Sequence, residues 1–141
     1  MPKMKFKSKV TWTGHSVSSD AVSGAHTLRI DEPKYLGGED TGSNPVELIL
    51  SALGGCLIVL VNAFAPAHDV EVRDVVVEVE GDLDPDGMFG KSDARRGFSE
   101  IRFNLKIDSP SSPKKIRELT QHVTDACPVK DTLSGVPVKA T

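Results

Sequence analysis

Cys56 and Cys127 are the only two sulfur nucleophiles in this 141-residue chain, and their settings differ. Cys56 lies in the middle of the most apolar stretch of the sequence, preceded by Asn44-Pro45-Val46-Glu47-Leu48-Ile49-Leu50-Ser51-Ala52-Leu53-Gly54-Gly55. Cys127 ends an amphipathic segment and is followed at once by Pro128. Glycine inside a helix costs roughly 1 kcal/mol relative to alanine. A mid-helix thiol behind two glycines is therefore a poor core filler. The chemistry open to such a pair is redox. A thiolate attacks an electrophilic atom, and a second thiol converts the resulting sulfenic acid to a disulfide. Two buried, idle cysteines are the plain alternative.

Other chemistries find little support. His15, His26, His68 and His122 are scattered without ligand spacing near either cysteine, so no metal site is expected. No Gly-x-Ser-x-Gly elbow or phosphate-binding glycine loop occurs, and no cofactor is expected. Trp12 and Tyr35 read as packing residues. A net charge of −3 offers no footprint for nucleic acid or an anionic membrane. Lys3, Lys5, Lys7 and Lys9 read as the solvated face of a strand. The charged first residues lack the apolar core of a secretory signal, so a cytoplasmic protein is expected. In that compartment a cysteine pair is more often catalytic or sensing than structural.

The two thiols must be positioned by their helices. Asn44 is a good N-cap, Pro45 suits the first helical position, and Glu47 completes a capping box, so a helix is expected from there to Ala65, before Pro66. Its length and lack of charge invite a membrane-spanning reading. The absence of an aromatic belt and flanking basic bias, with patterned strands around it, favours a soluble core helix. Its bulky stripe (Leu50, Leu53, Leu57, Leu60, Phe64) suits the inside of a sheet. Its small stripe (Leu48, Ala52, Gly55, Cys56, Val59, Ala63) admits another backbone. A helix apolar all round needs covering on every side, which predicts a homodimer. A second helix starts at Pro113 after the cap Ser112, buries Ile116, Leu119 and Val123, and ends at Cys127.

Strands are predicted over 3–13, twice within 17–31 (the second being His26–Ile30), over 70–82 and over 97–108, with a polar loop at 83–96. Arg102 and Lys106 are expected to face Glu78 and Glu80. A turn at 129–133 and a last strand at 136–139 complete a single domain over residues 1–141. The order βββ-α-ββ-α-β is α+β.

On Asn44-Pro45-Val46-Glu47-Leu48, Ala52-Leu53-Gly54-Gly55-Cys56, and Cys127-Pro128-Val129 with Asp131-Thr132-Leu133, the chain resembles the OsmC/Ohr family. The resemblance extends over nearly the whole chain, through Gly81-Asp82-Leu83-Asp84 and Gly97-Phe98-Ser99-Glu100-Ile101. It implies an OsmC-like fold, with antiparallel β-sheets wrapped around long central helices in an intertwined homodimer. It also implies reduction of organic hydroperoxides, with Cys56 peroxidatic and Cys127 resolving. A dithiol reductant such as a lipoylated protein would restore the thiols.

The chain departs from the family pattern at one place. The family glutamate directly follows the Asn-Pro pair, where this chain has Val46, and Glu47 stands one residue later. Nine residues separate Glu47 from Cys56, about 13.5 Å along a helix and on the opposite face. Glu47 is thus a cap, or acts by orienting an arginine or across a dimer interface. Arg29 matches the strand position of the family arginine, with Arg95 and Arg96 as fallbacks. The mid-helix place of Cys56 puts it beyond reach of the helix dipole, so a cation must come from elsewhere to stabilise its thiolate. The apolar surroundings suit a small hydrophobic hydroperoxide. Two rival readings are a binding protein with an apolar dimer groove and a thiol sensor without turnover.

Overall fold

The computed structural model describes residues 1–140. The chain falls into two compact units that divide after Ile49.

The first unit holds a three-stranded antiparallel meander, β1 (Lys9–Trp12), β2 (Ser19–Ser23) and β3 (His26–Ile30). The β2–β3 turn passes through Gly24 at φ 59°, the left-handed region that glycine tolerates without strain. The expected first strand is shorter than its alternation suggested. The β1–β2 ladder ends at the Lys9–Val22 pair, so residues 3–8 have no ladder partner and Met4 and Phe6 lie exposed. Behind β3, the buried carboxylate of Asp31 accepts from the Thr41 hydroxyl (2.6 Å), the Thr41 N–H (3.1 Å) and the Glu32 N–H (2.8 Å). These donors, the Thr41 hydroxyl first, hold its pKa at about 2. The loop so folded leads into α1 (Pro45–Phe64).

The capping box at the start of α1 is reciprocal. Glu47 N–H donates to Asn44 Oδ1 at 2.8 Å, and Asn44 N–H donates to Glu47 Oε1 at 3.0 Å. The helix stops just before Pro66, where a 3₁₀ turn (Pro66–His68) follows.

In the second unit the helix residues Leu53, Leu57 and Val61 join Leu119, Val123 and Cys127 in one buried cluster. Of the bulky stripe, Leu53 and Leu57 face inward with Leu60 and Phe64 packed at their margin, while Leu50 lies outside the cluster. Much of the opposite side of α1 is exposed, including Ala52, Gly55, Val59 and Ala63. By length and mean hydropathy (2.1) this helix would suffice to cross a membrane, but its bulky row is the core of the unit.

A two-stranded antiparallel sheet, β4 (Asp74–Leu83) with β5 (Phe98–Asp108), covers that core. Val75, Val77 and Val79 pair with Ile107, Leu105 and Phe103 on the inner face. On the outer face Lys106 meets Glu78 at 2.7 Å and Arg102 meets Glu80 at 3.0 Å, the expected cross-strand pairs. The strand starts at Asp74 rather than Val70, because Val70 instead caps the core beside Ala65. Gly81 lies under the Phe98 ring, where a Cβ would come within 2.7 Å of it.

The polar loop between the strands contains one short helix, α2 (Pro85–Met88), capped by Asp84. α3 (Pro113–Ala126) is capped by Ser112, as its sequence predicted. Its Lys115 reaches Asp69 at 2.6 Å, and its His122 meets His68 at 2.9 Å, tying the end of α1 to α3. The expected turn at 129–133 is a helix, α4 (Pro128–Leu133). The expected last strand at 136–139 is absent among the described residues, since no neighbouring strand lies there to supply its hydrogen bonds.

Candidate active site

α1 carries Cys56 half-buried, three residues on from the buried Leu53 and one before the buried Leu57. Cys127 follows the last residue of α3 and is buried in the core. Both thiols are free. The core brings them together: Cys56 packs against the buried cluster that contains Cys127, close enough for the Cys127 thiol to raise its pKa. Residues far apart in sequence thus meet because α1 and α3 share one apolar cluster.

α4 supplies the remaining contacts. Cys127 is its N-cap, in extended conformation, with Pro128 at the first helical position. The Lys130 N–H donates to the Cys127 sulfur at 3.4 Å. The Val129 backbone lies close enough to Cys56 to lower its pKa. Consecutive residues at the start of one short helix therefore act on both sulfurs. Neither residue stands out in the sequence, although Cys-Pro followed by Asp131 in the first turn is an N-cap signature. Cys127 is more than the C-terminal residue its sequence suggests. It ends one helix and caps the next, so N–H groups rather than carbonyls point at its sulfur.

The electrostatics of Cys56 run against easy ionisation. Burial pushes its thiol above the ordinary value, the Val129 backbone pulls it back, and the nearby Cys127 thiol raises it again. No cation figures among these causes. The thiolate fraction at neutral pH is thus smaller than that of a free cysteine, and it grows about tenfold per pH unit until the pKa is reached. Alkylation of Cys56 by iodoacetamide, followed by mass spectrometry, should therefore climb steeply from pH 7 to pH 9. In Cys127→Ala the same curve should move to lower pH, because one of the groups raising the thiol is gone.

The other two expected site residues have partners within the first unit. Arg29 Nε and Nη2 grip Asp20 at 2.6 and 3.3 Å across the β2–β3 ladder. This pair raises the arginine and lowers the aspartate. The Glu47 carboxylate holds the Asn44 N–H in the capping box. Among the described residues no cluster of three or more metal-ligating side chains occurs.

Fold and site together define an α+β protein built around a core-helix thiol with a second thiol packed in the same cluster. Comparison with known proteins makes the assignment specific. A family model described as OsmC-like protein matches residues 38–141, and the chain belongs to that family. It is 29% identical over 120 residues to a hydroperoxide reductase of Mycoplasma pneumoniae, covering 84% of this chain and 80% of that protein. A hydroperoxide reductase of Mycoplasma genitalium is 28% identical over 119 residues, covering 84% and 79%. Among solved structures, an OsmC-like protein from Mycoplasma pneumoniae superposes with a TM-score of 0.82 at 26% identity, over 96% of this chain and 91% of that one. The fold is also shared with an organic hydroperoxide resistance protein from Legionella pneumophila, with a TM-score of 0.67 at 18% identity, over 96% and 93%.

Proposed function

We propose that this chain is a thiol peroxidase that reduces organic hydroperoxides in the cytoplasm, its residues 1–141 working as one domain. The observation that carries the reading is the packing of Cys56 against the buried cluster that holds Cys127. A disulfide between them needs no large rearrangement. The relatives named hydroperoxide reductase support the same chemistry.

The cycle follows from the two sulfurs. The Cys56 thiolate attacks the terminal peroxide oxygen, the O–O bond breaks, and the alkoxide takes a proton and leaves as the alcohol. Cys56 is then a sulfenic acid. The Cys127 thiol attacks that sulfur, water departs, and the disulfide forms. A dithiol of the lipoyl kind returns two electrons and two protons by exchange. Since burial raises Cys56, the thiolate and the leaving oxygen need a cation, a role we assign to Arg29, with Glu47 positioning the helix start. Arg29→Met should therefore lower kcat/KM for every hydroperoxide by about 10²-fold, the usual cost of losing one charge-stabilising donor. Steady-state peroxide consumption measures it, and an unchanged rate would remove Arg29 from the mechanism.

The working form is a homodimer. The outer side of α1 leaves Val59 66% exposed, and open space lies where Gly55 lacks a Cβ. An apolar helix face left open in this way marks a surface that another chain covers. Val59→Glu should turn dimers into monomers in light scattering at micromolar concentration.

The sensing reading has one observation in its favour: no cation contributes to the ionisation of Cys56. Consumption of cumene hydroperoxide with dihydrolipoamide as donor separates the two. Sustained turnover supports the enzyme. Oxidation to the disulfide with no turnover supports the sensor.

A further inference from the structure

The second unit contains an open pocket of about 330 Å³, at the small end of the range for organic ligands, lined by residues that neighbour both cysteines in sequence. Its apolar walls include Leu53, Phe98, Phe103 and Leu133, and its polar lining includes Arg95 and Lys130. Two of these residues place it next to the chemistry. Leu53 lies one turn before Cys56 on α1, and the Lys130 N–H holds the Cys127 sulfur.

The two cations are not spoken for. Among the described residues neither Arg95 nor Lys130 makes an ion pair, whereas Arg102 binds three carboxylates and Arg29 binds Asp20. The one acidic residue that lines the cavity, Glu100, is taken up by Arg102 at 2.7 Å. Arg95 is also held in place by its backbone. A Cβ on Gly87 would come within 2.6 Å of the carbonyls of Ala94 and Arg95, so α2 packs directly against that stretch. The Ala94 N–H adds a bond to the Ser92 hydroxyl at 3.2 Å. An open pocket whose lining is half apolar and carries two cations without ion-pair partners suits an amphiphile with an anionic end better than a purely neutral molecule.

Building on the peroxidase reading, we infer that Arg95 and Lys130 are specificity residues that select hydroperoxides carrying a carboxylate remote from the peroxide. The apolar walls hold the hydrocarbon part, and the two cations meet the carboxylate. Both cations are exposed, so each should contribute about fivefold rather than the larger factor of a buried pair.

The probe pair is cumene hydroperoxide bearing a para carboxylate and the methyl ester of the same compound. These share one reacting group and differ in charge. The expected ratio of kcat/KM, acid over ester, is about ten or more in the native protein. Arg95→Met and Lys130→Met should each lower it about fivefold, the double variant should bring it near one, and Arg95→Lys should keep most of it. Raised ionic strength should shrink the ratio. A ratio near one in the native protein, or one that survives the double variant, overturns the inference. Binding is measured separately in Cys56→Ser by calorimetric titration with 4-isopropylbenzoate and its methyl ester. Tighter acid binding that Lys130→Met weakens about fivefold supports charge selection even in a protein that turns over no hydroperoxide, a result that would sink the peroxidase alone. Equal binding of acid and ester refutes the selection whatever the turnover.

Discussion

Cys56→Ser should stop hydroperoxide turnover, lowering the rate by at least ~10³-fold, because a neutral hydroxyl is a far weaker nucleophile than a thiolate. The substitution removes little packing, since Cys56 is only half-buried and serine is nearly its size. Cys127→Ala should behave differently. The peroxidatic sulfur remains, so one equivalent of hydroperoxide should be consumed quickly. The protein should then stall as the Cys56 sulfenic acid, trappable by a sulfenic-acid reagent and visible by intact mass. Native protein treated with one equivalent should instead lose two hydrogens and form no intermolecular adduct. A stalled Cys56→Ser and a bursting Cys127→Ala would assign attack on the peroxide to Cys56 and resolution to Cys127. The reverse pattern would exchange them, and an unchanged rate in both would end the peroxidase reading.

Leu57→Ala should destabilise the protein by about 3 kcal/mol, read as a lower denaturant midpoint at unchanged slope. Leu57 is 0% exposed, adjoins Cys56 in sequence, and shares one cluster with Leu119 and Val123. The loss combines transfer of the removed methyl groups with the cavity left behind. The same cavity loosens the contact between α1 and α3 that holds the two thiols in one cluster. Disulfide formation in Leu57→Ala should therefore slow even below the temperature at which the protein unfolds, as followed by intact mass after one equivalent of peroxide. Val59→Ala, on the exposed side of the same helix, should change the stability of the isolated chain by no more than about 0.5 kcal/mol.

The contrast between these two positions on one helix also shows why local pattern carries some features and not others. The capping box at Asn44–Glu47, the Ser112 cap and the valine alternation of β4 are encoded in neighbouring residues, so helix starts, strand faces and the Glu78–Lys106 pairing are legible. Segments whose structure depends on a distant partner are not. Residues 3–8 and 136–139 alternate as strands do, yet a strand exists only where another backbone completes its hydrogen bonds. α4 stays hidden while Cys127 is taken for the end of α3 alone, although Cys-Pro opens a helix as well as closing one.

For the site, the sequence by itself determined which sulfurs are present, which helices bear them, and that glycine and small residues surround Cys56. It offered Arg29 as the cation on resemblance alone. The tertiary structure decided that the two thiols share one cluster, that the Lys130 N–H is directed at the Cys127 sulfur, and that Arg95 and Lys130 line one pocket. Those facts depend on how α1 and α3 dock on a common apolar cluster under β4 and β5. Burial energy is shared by many side chains at once and points in no direction along the chain, so no local stretch of residues announces which distant sulfur it will meet.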